Sequence, residues 1–244
     1  SFTVSLPLDG ACYLFLFGAN NITGANKSYD GTIALAANNV FANSNAISLG
    51  TLGTLNLAGF DDTIGSISGT GSIDFGSAGT SALSLSSGVS VFSGQFLGSG
   101  ELIIGPGATL TLGADFANTN LKITLAGGTL NLNGHNASFG DLSITGNSIV
   151  DFGAGTDSVL SINGVSFANT GLQLSVNNWT DAADFFYSNT NPGPKGSAPT
   201  NQIVFNGFSG NDTRWDSFDH QITPVPEPST YGAALMALLG GFLY

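Results

Sequence analysis

His135 lies among carboxylates and is the first residue to weigh as a general base. The densest polar cluster is Asn211-Asp212-Thr213-Arg214-Trp215-Asp216-Ser217-Phe218-Asp219-His220. Asp212, Asp216 and Asp219 offer hard oxygens of the kind Ca²⁺ takes. Their spacing is neither that of an EF-hand loop nor that of glycine-rich calcium repeats. A solvated face, with Arg214 paired to a neighbour, is the plainer expectation, and no metal or cofactor is expected. Trp179, Trp215 and Tyr187, with Phe185 and Phe186, are the residues that would stack on sugar faces. Glycoside cleavage needs two carboxyls about 5–9.5 Å apart in a cleft. Zinc spacings, phosphate-binding loops and nucleophile elbows do not occur.

An internal repeat weakens the catalytic readings. Residues 54–85 read TLNLAGFDDTIGSISGTGSIDFGSAGTSALSL, and residues 129–162 read TLNLNGHNASFGDLSITGNSIVDFGAGTDSVLSI. Leu55 matches Leu130 at the start, and Leu83 matches Leu160 at the end, after a short insertion in the second copy. His135 then stands where the first copy has Phe60, so it reads as a surface or half-buried spacer. Asp61-Asp62 becomes Asn136-Ala137, so that acidic pair is not kept. Asp74 and Asp151 occupy equivalent places before Phe-Gly, which suits a turn cap bonded to backbone N–H groups. No catalytic residue is expected.

Composition sets the wider frame. Four Lys and Arg stand against 16 Asp and Glu, a formal net charge of −12. So few cations cannot neutralise a run of phosphates, which excludes nucleic acid. They make no polybasic patch for a membrane surface either. The chain is 42% hydrophobic with a mean hydropathy of +0.24, against the composition of disorder. Ser, Thr, Asn and 35 Gly, mixed with Val, Ile, Leu and Phe, are strand and turn residues. One cysteine, Cys12, permits no internal disulfide and reads as a small buried hydrophobe.

The elements that must position these residues are short. Phrases such as Leu55-Asn56-Leu57 and Leu110-Thr111-Leu112 alternate apolar and polar, then meet a glycine. Period-two alternation predicts strands with one buried face. Strands this short are not stable alone, but stacked coils bury a continuous apolar stripe. The expected fold is therefore all-β: a parallel β-helix or β-solenoid with a C-terminal cap. The competing architecture is an antiparallel β-sandwich. The offset between the two copies is expected to hold about three coils of roughly 20–30 residues each. Residues 1–176 form the expected body and residues 177–223 the capping segment, in which residues 181–187 are expected to make one helical turn. Residues 224–244 form a Pro-rich spacer and an apolar tail.

The tail carries a resemblance. Val225-Pro226-Glu227-Pro228-Ser229-Thr230 precedes an uncharged, glycine-dotted run from Tyr231 to Tyr244. This resembles the PEP-CTERM sorting signal of exported Gram-negative bacterial proteins. The resemblance implies that Pro226, Glu227 and Pro228 are recognised by a membrane-embedded exosortase. It implies export to the cell surface or the extracellular polymeric matrix, with membrane contact only through the tail. The family's terminal Arg cluster is not present, and the apolar run is shorter than the roughly 20 residues of a span, so the tail reads as truncated. The repeats, as in Gly105-Pro106-Gly107-Ala108-Thr109-Leu110, are similar to autotransporter-associated β-strand repeats, which implies a parallel stalk without catalysis.

The function expected from all this is structural: a surface or matrix protein, able to self-assemble into filaments, meeting exopolysaccharide or other matrix components. The alternative is a carbohydrate-binding module. A polysaccharide-active enzyme is the third class.

Overall fold

Gly-bounded phrases of three to six residues build a coil of three short strands. The computed structural model describes residues 13–16, 28–155, 157–208 and 213–224. Its strands lie on three faces, visited in turn through the middle of the stack.

The first face is one sheet of nine strands in spatial order. They are β2 (Ser28–Tyr29), β4 (Ala46–Leu49), β7 (Ser66–Gly69), β10 (Gly88–Phe92), β13 (Ala108–Leu112), β16 (Thr129–Asn131), β19 (Ser148–Asp151), β22 (Leu174–Asn177) and β24 (Ile203–Phe205). The second face begins with β1 (Tyr13–Leu16), β3 (Thr32–Leu35), β5 (Thr54–Asn56), β8 (Ser72–Asp74) and β11 (Gln95–Leu97). A second sheet continues it with β14 (Phe116–Asn118), β17 (Ala137–Phe139), β20 (Val159–Ile162) and β23 (Phe185–Ser188). The third face holds β6 (Asp62–Ile64), β9 (Ser81–Leu85), β12 (Gly100–Ile104), β15 (Leu121–Ala126), β18 (Leu142–Gly146) and β21 (Val165–Phe167). Two further strands, β25 (Thr213–Trp215) and β26 (Ile222–Pro224), form an antiparallel hairpin.

Every pairing between the three-face strands is parallel and nearly in register, so the chain is a β-solenoid of about seven turns. The sandwich alternative is excluded, because a sandwich pairs its strands antiparallel. Register also sets the length of each coil. In the middle of the stack Thr109 pairs with Thr129, and Thr129 with Ile149. Later coils lengthen: Ile149 pairs with Ser175, and Ser175 with Val204.

The two sequence copies do not occupy the same faces. β5 lies on the second face, but its equivalent, β16, lies on the first. β6 and β17, and β7 and β18, are displaced in the same sense. The offset between the copies thus spans three coils and two further faces, not three coils. What the copies preserve is the neighbour relation. β5 pairs with β8 as β16 pairs with β19, and β6 pairs with β9 as β17 pairs with β20.

Alternation puts the core inside the coil. On the first face Leu110, Leu130, Val150, Val176 and Phe205 stack in register and are buried. On the third face Leu83, Leu102, Ile123, Leu142 and Val165 do the same. Each such side chain contributes roughly 2 kcal/mol on burial, and its stacked neighbours contribute alike.

Corners are turned by local hydrogen bonds. The Asp74 carboxylate accepts from Gly76 N–H at 2.8 Å, and Asp151 from Gly153 N–H at 2.9 Å. Asn56 and Asn131 accept equivalently from Ala58 and Asn133, whose backbones are left-handed. The Asp74 and Asp151 caps are those expected from the sequence; the Asn56 and Asn131 caps were not anticipated. Coils also approach closely at several corners. A Cβ on Gly94 would lie 1.8 Å from the Gly71 carbonyl oxygen, closer than any real contact.

At the start of the third face an inward position is polar. Asp62, only 2% exposed, sits in line with Leu83. Its carboxylate accepts from Val40 N–H at 2.9 Å, Phe41 N–H at 3.1 Å and Thr63 N–H at 2.7 Å. It therefore does for the preceding coil what a strand ladder does elsewhere. Burial pushes the carboxyl above its ordinary value of 3.8, against the downward pull of the three N–H groups.

The last coils carry the segment expected as a cap. Residues 181–183 form a turn, but no helical turn follows, because Phe185–Ser188 pairs with β20 as a strand. Buried Asp184 pins this turn, accepting from Ser158 N–H and Thr180 N–H. The β25–β26 hairpin packs against β23 and β24, with an antiparallel bridge from Tyr187 to Gln221. Ile222 and Thr213 are buried beneath it.

The corners and the buried acid can each be tested. Gly94→Ala is expected to destabilise the fold by roughly 3 kcal/mol through backbone overpacking. Gly155→Ala, which meets only Gly134 Cα at 3.5 Å, is expected to change stability by less than about 0.5 kcal/mol. Urea unfolding of both variants checks this. Asp62→Ala leaves Val40 and Phe41 N–H unpaired and is expected to cost about 2–4 kcal/mol. A raised carboxyl binds its proton more tightly in the folded chain. Its contribution is full below 3.8 and is lost as pH rises through the folded value. The stability of the wild type relative to Asp62→Asn is therefore expected to increase between pH 7 and pH 4, read by the same unfolding at each pH.

Candidate functional site

The two sheets of the second face do not join by a ladder. Between β11 and β14 the Asn118 side-chain amide instead donates to the Phe96 and Gly98 carbonyls, both at 3.0 Å. Below it, inward rings fill the break. Phe96 stacks on Phe116 at 4.9 Å and meets Phe92 at 5.1 Å. The break opens outward as a depression of about 300 Å³ bounded by Gln95, Leu97, Asp115 and Ala117.

From there a shallow groove continues along the face. Register places Ala117 beside Ser138, Ser138 beside Ser161, and Ser161 beside Tyr187. Their inward neighbours Phe116, Phe139, Leu160 and Phe186 are core, so these four side chains point out. The stretch over Ala117 and Ser138 measures about 290 Å³, and the stretch over Ser138 and Ser161, about 430 Å³. Thr119, Asn163 and Asn189 line one margin. On the other, a relay crosses the strands: Asp115 accepts from Asn136 N–H, and Asn136 Oδ1 accepts from Val159 N–H, both at 2.9 Å. Phe185, next to Val159, stands parallel to Tyr187 at 5.8 Å, one strand beyond the groove floor at Ser161.

His135 lies at the groove margin, its Nδ1 3.4 Å from Asp115 Oδ1. The Asn136 backbone N–H, helped by the His135 contact, holds the Asp115 carboxyl below its ordinary value. That contribution to stability is present above 3.8 and is lost as pH falls through the folded value.

The sequence candidates separate here. Trp179 is buried edge-on against Phe205 and Phe208, at 5.0 and 5.3 Å, so no sugar reaches its face. Trp215 is half-buried, donates Nε1–H to the Ser188 carbonyl at 2.9 Å, and stacks on His220. Phe186 is core. Tyr187, with Phe185, is what remains of the stacking set on an outward face. Asp216 and Asp219 each accept from a backbone N–H of their own turn, those of Phe218 and Gln221. Asp212 lies outside the described residues, as do Cys12 and Pro226, Glu227 and Pro228. Among the described residues no group of three or more His, Cys, Asp or Glu is placed to hold a metal. Among them, too, no helix is long and apolar enough to cross a membrane.

Ala117, Ser138, Ser161 and the margin asparagines escaped sequence reasoning. Small polar residues recur on all three faces, so their alignment on one face leaves no mark in the sequence. The one legible signal was Phe185-Phe186-Tyr187, two aromatics two apart on a strand. Comparison with known proteins gives no match: no family model, no curated protein and no solved structure aligns with this chain.

Proposed function

We propose that this chain is a non-enzymatic structural protein of the bacterial cell surface or extracellular matrix, which assembles end to end into filaments. The observation that carries this reading is the use made of the carboxylates. Asp61, Asp74, Asp115, Asp151, Asp216 and Asp219 each accept a backbone N–H, and thus hold turns and neighbouring coils. Glu101 is paired with Lys122 at 3.0 Å across adjacent strands. Acids engaged in the scaffold are not poised for proton transfer.

The architecture suits the same role. Nine strands at about 4.8 Å spacing make a first face roughly 40 Å long. A parallel stack grows only at its ends, where another chain adds a strand. Head-to-tail contacts that do not close produce filaments. In this reading Pro226, Glu227 and Pro228 address the chain to an exosortase-type enzyme before assembly.

The test is cryo-EM of the purified native material with intact-mass analysis of the same sample. Filaments whose axial rise is a multiple of about 4.8 Å are expected, because subunits joined by strand pairing keep the ladder spacing. A monodisperse monomer at every concentration would sink the assembly reading. Chains in the filament that keep residues 226–244 uncut would sink the sorting role of the tail.

A further inference from the structure

We infer that the groove on the second face binds a neutral polysaccharide chain, lying along the solenoid axis from the β11–β14 break towards Tyr187. This goes beyond a structural role and does not depend on filament formation.

Three features of the groove point to this ligand. Its floor is small: Ala117, Ser138 and Ser161 stand in one column and let a flat, extended molecule come close to the sheet. One margin carries neutral hydrogen-bonding groups, the Thr119 hydroxyl and the Asn163 and Asn189 amides, which match a hydroxyl-rich ligand. One strand beyond Ser161 and Val159 stands the parallel pair of Phe185 and Tyr187, rings of the kind that take the C–H face of a sugar.

Charge selects among polysaccharides. Among the described residues no Lys or Arg lines the three stretches of the groove, and the one ionised side chain there is Asp115. The whole chain carries −12. A polyanionic glycan would be repelled and would find no cation, whereas a neutral one desolvates no charge. Length fits as well. From β14 to β23 are three strand spacings, about 14 Å, room for a short run of sugar rings.

The experiment is calorimetric titration of the full 244-residue chain with cellohexaose and laminarihexaose, with polygalacturonate as the anionic comparison. One of the two neutral oligomers is expected to bind, and polygalacturonate is not. Tyr187→Ala and Ala117→Phe are each expected to weaken binding at least tenfold. Ala117 is exposed, so Ala117→Phe fills the groove without disturbing the core, and its unfolding midpoint is expected to stay at the wild-type value. Thr109→Phe, on the outer side of the first face, is expected to bind as the wild type does. The proposal is overturned if neither neutral oligomer binds at millimolar concentration, if polygalacturonate binds better, or if Ala117→Phe binds undiminished. Should Tyr187→Ala fail to fold, Ala117→Phe alone decides.

Discussion

Every coil of this protein depends on the backbone hydrogen bonds it makes with the coil before it. The strands have two to six residues, too few to persist alone. Parallel pairing on three faces satisfies their N–H and C=O groups and, in the same act, aligns the inward side chains. The apolar stripe is thus a consequence of register: a slip of one residue would turn Leu110, Leu130 and Val150 out to water together.

That dependence explains where polar groups are allowed inside. Ser90 and Asp62 occupy inward positions and are nearly fully buried. Ser90 Oγ accepts from Ile67 N–H at 3.0 Å, and Asp62 accepts from the turn at Val40 and Phe41. Each stands where a coil-to-coil backbone bond is missing. Asn118 plays the same part at the break in the second face, from the outer side. The side chains that interrupt the pattern are therefore those that restore the ladder where the backbone does not make it.

The break also distinguishes the second face from the others. On the first face the ladder runs through nine strands, and its outward side chains are mostly Ser, Thr and Asn. On the second, the interruption at β11–β14 opens a concave strip, and the aromatic pair on β23 stands one strand beyond its floor. Identical coils make a uniform surface, so the interruption is what sets the second face apart from the first.

Much of the fold was legible in the sequence. Period-two alternation, glycine punctuation and the scarcity of charge led to parallel coils, and the matched Asp74 and Asp151 to turn caps, since these are local properties of strand and turn. Phase was not legible. The Thr-Leu-Asn phrase fits any face of the triangle, so β5 and β16 came to lie on different ones, and only the closure of each coil decided which. The cap showed the same limit: residues 181–187 look locally like a helical turn, but pairing with β20 drew Phe185–Ser188 into a strand. For the site, residue order settled which positions were aromatic and which small. Folding settled that Trp179 is buried, that Tyr187 faces outward, and that Ala117, Ser138 and Ser161 share one column. The face a side chain takes is set by register with a neighbour a whole coil away along the chain, and no local pattern records that separation.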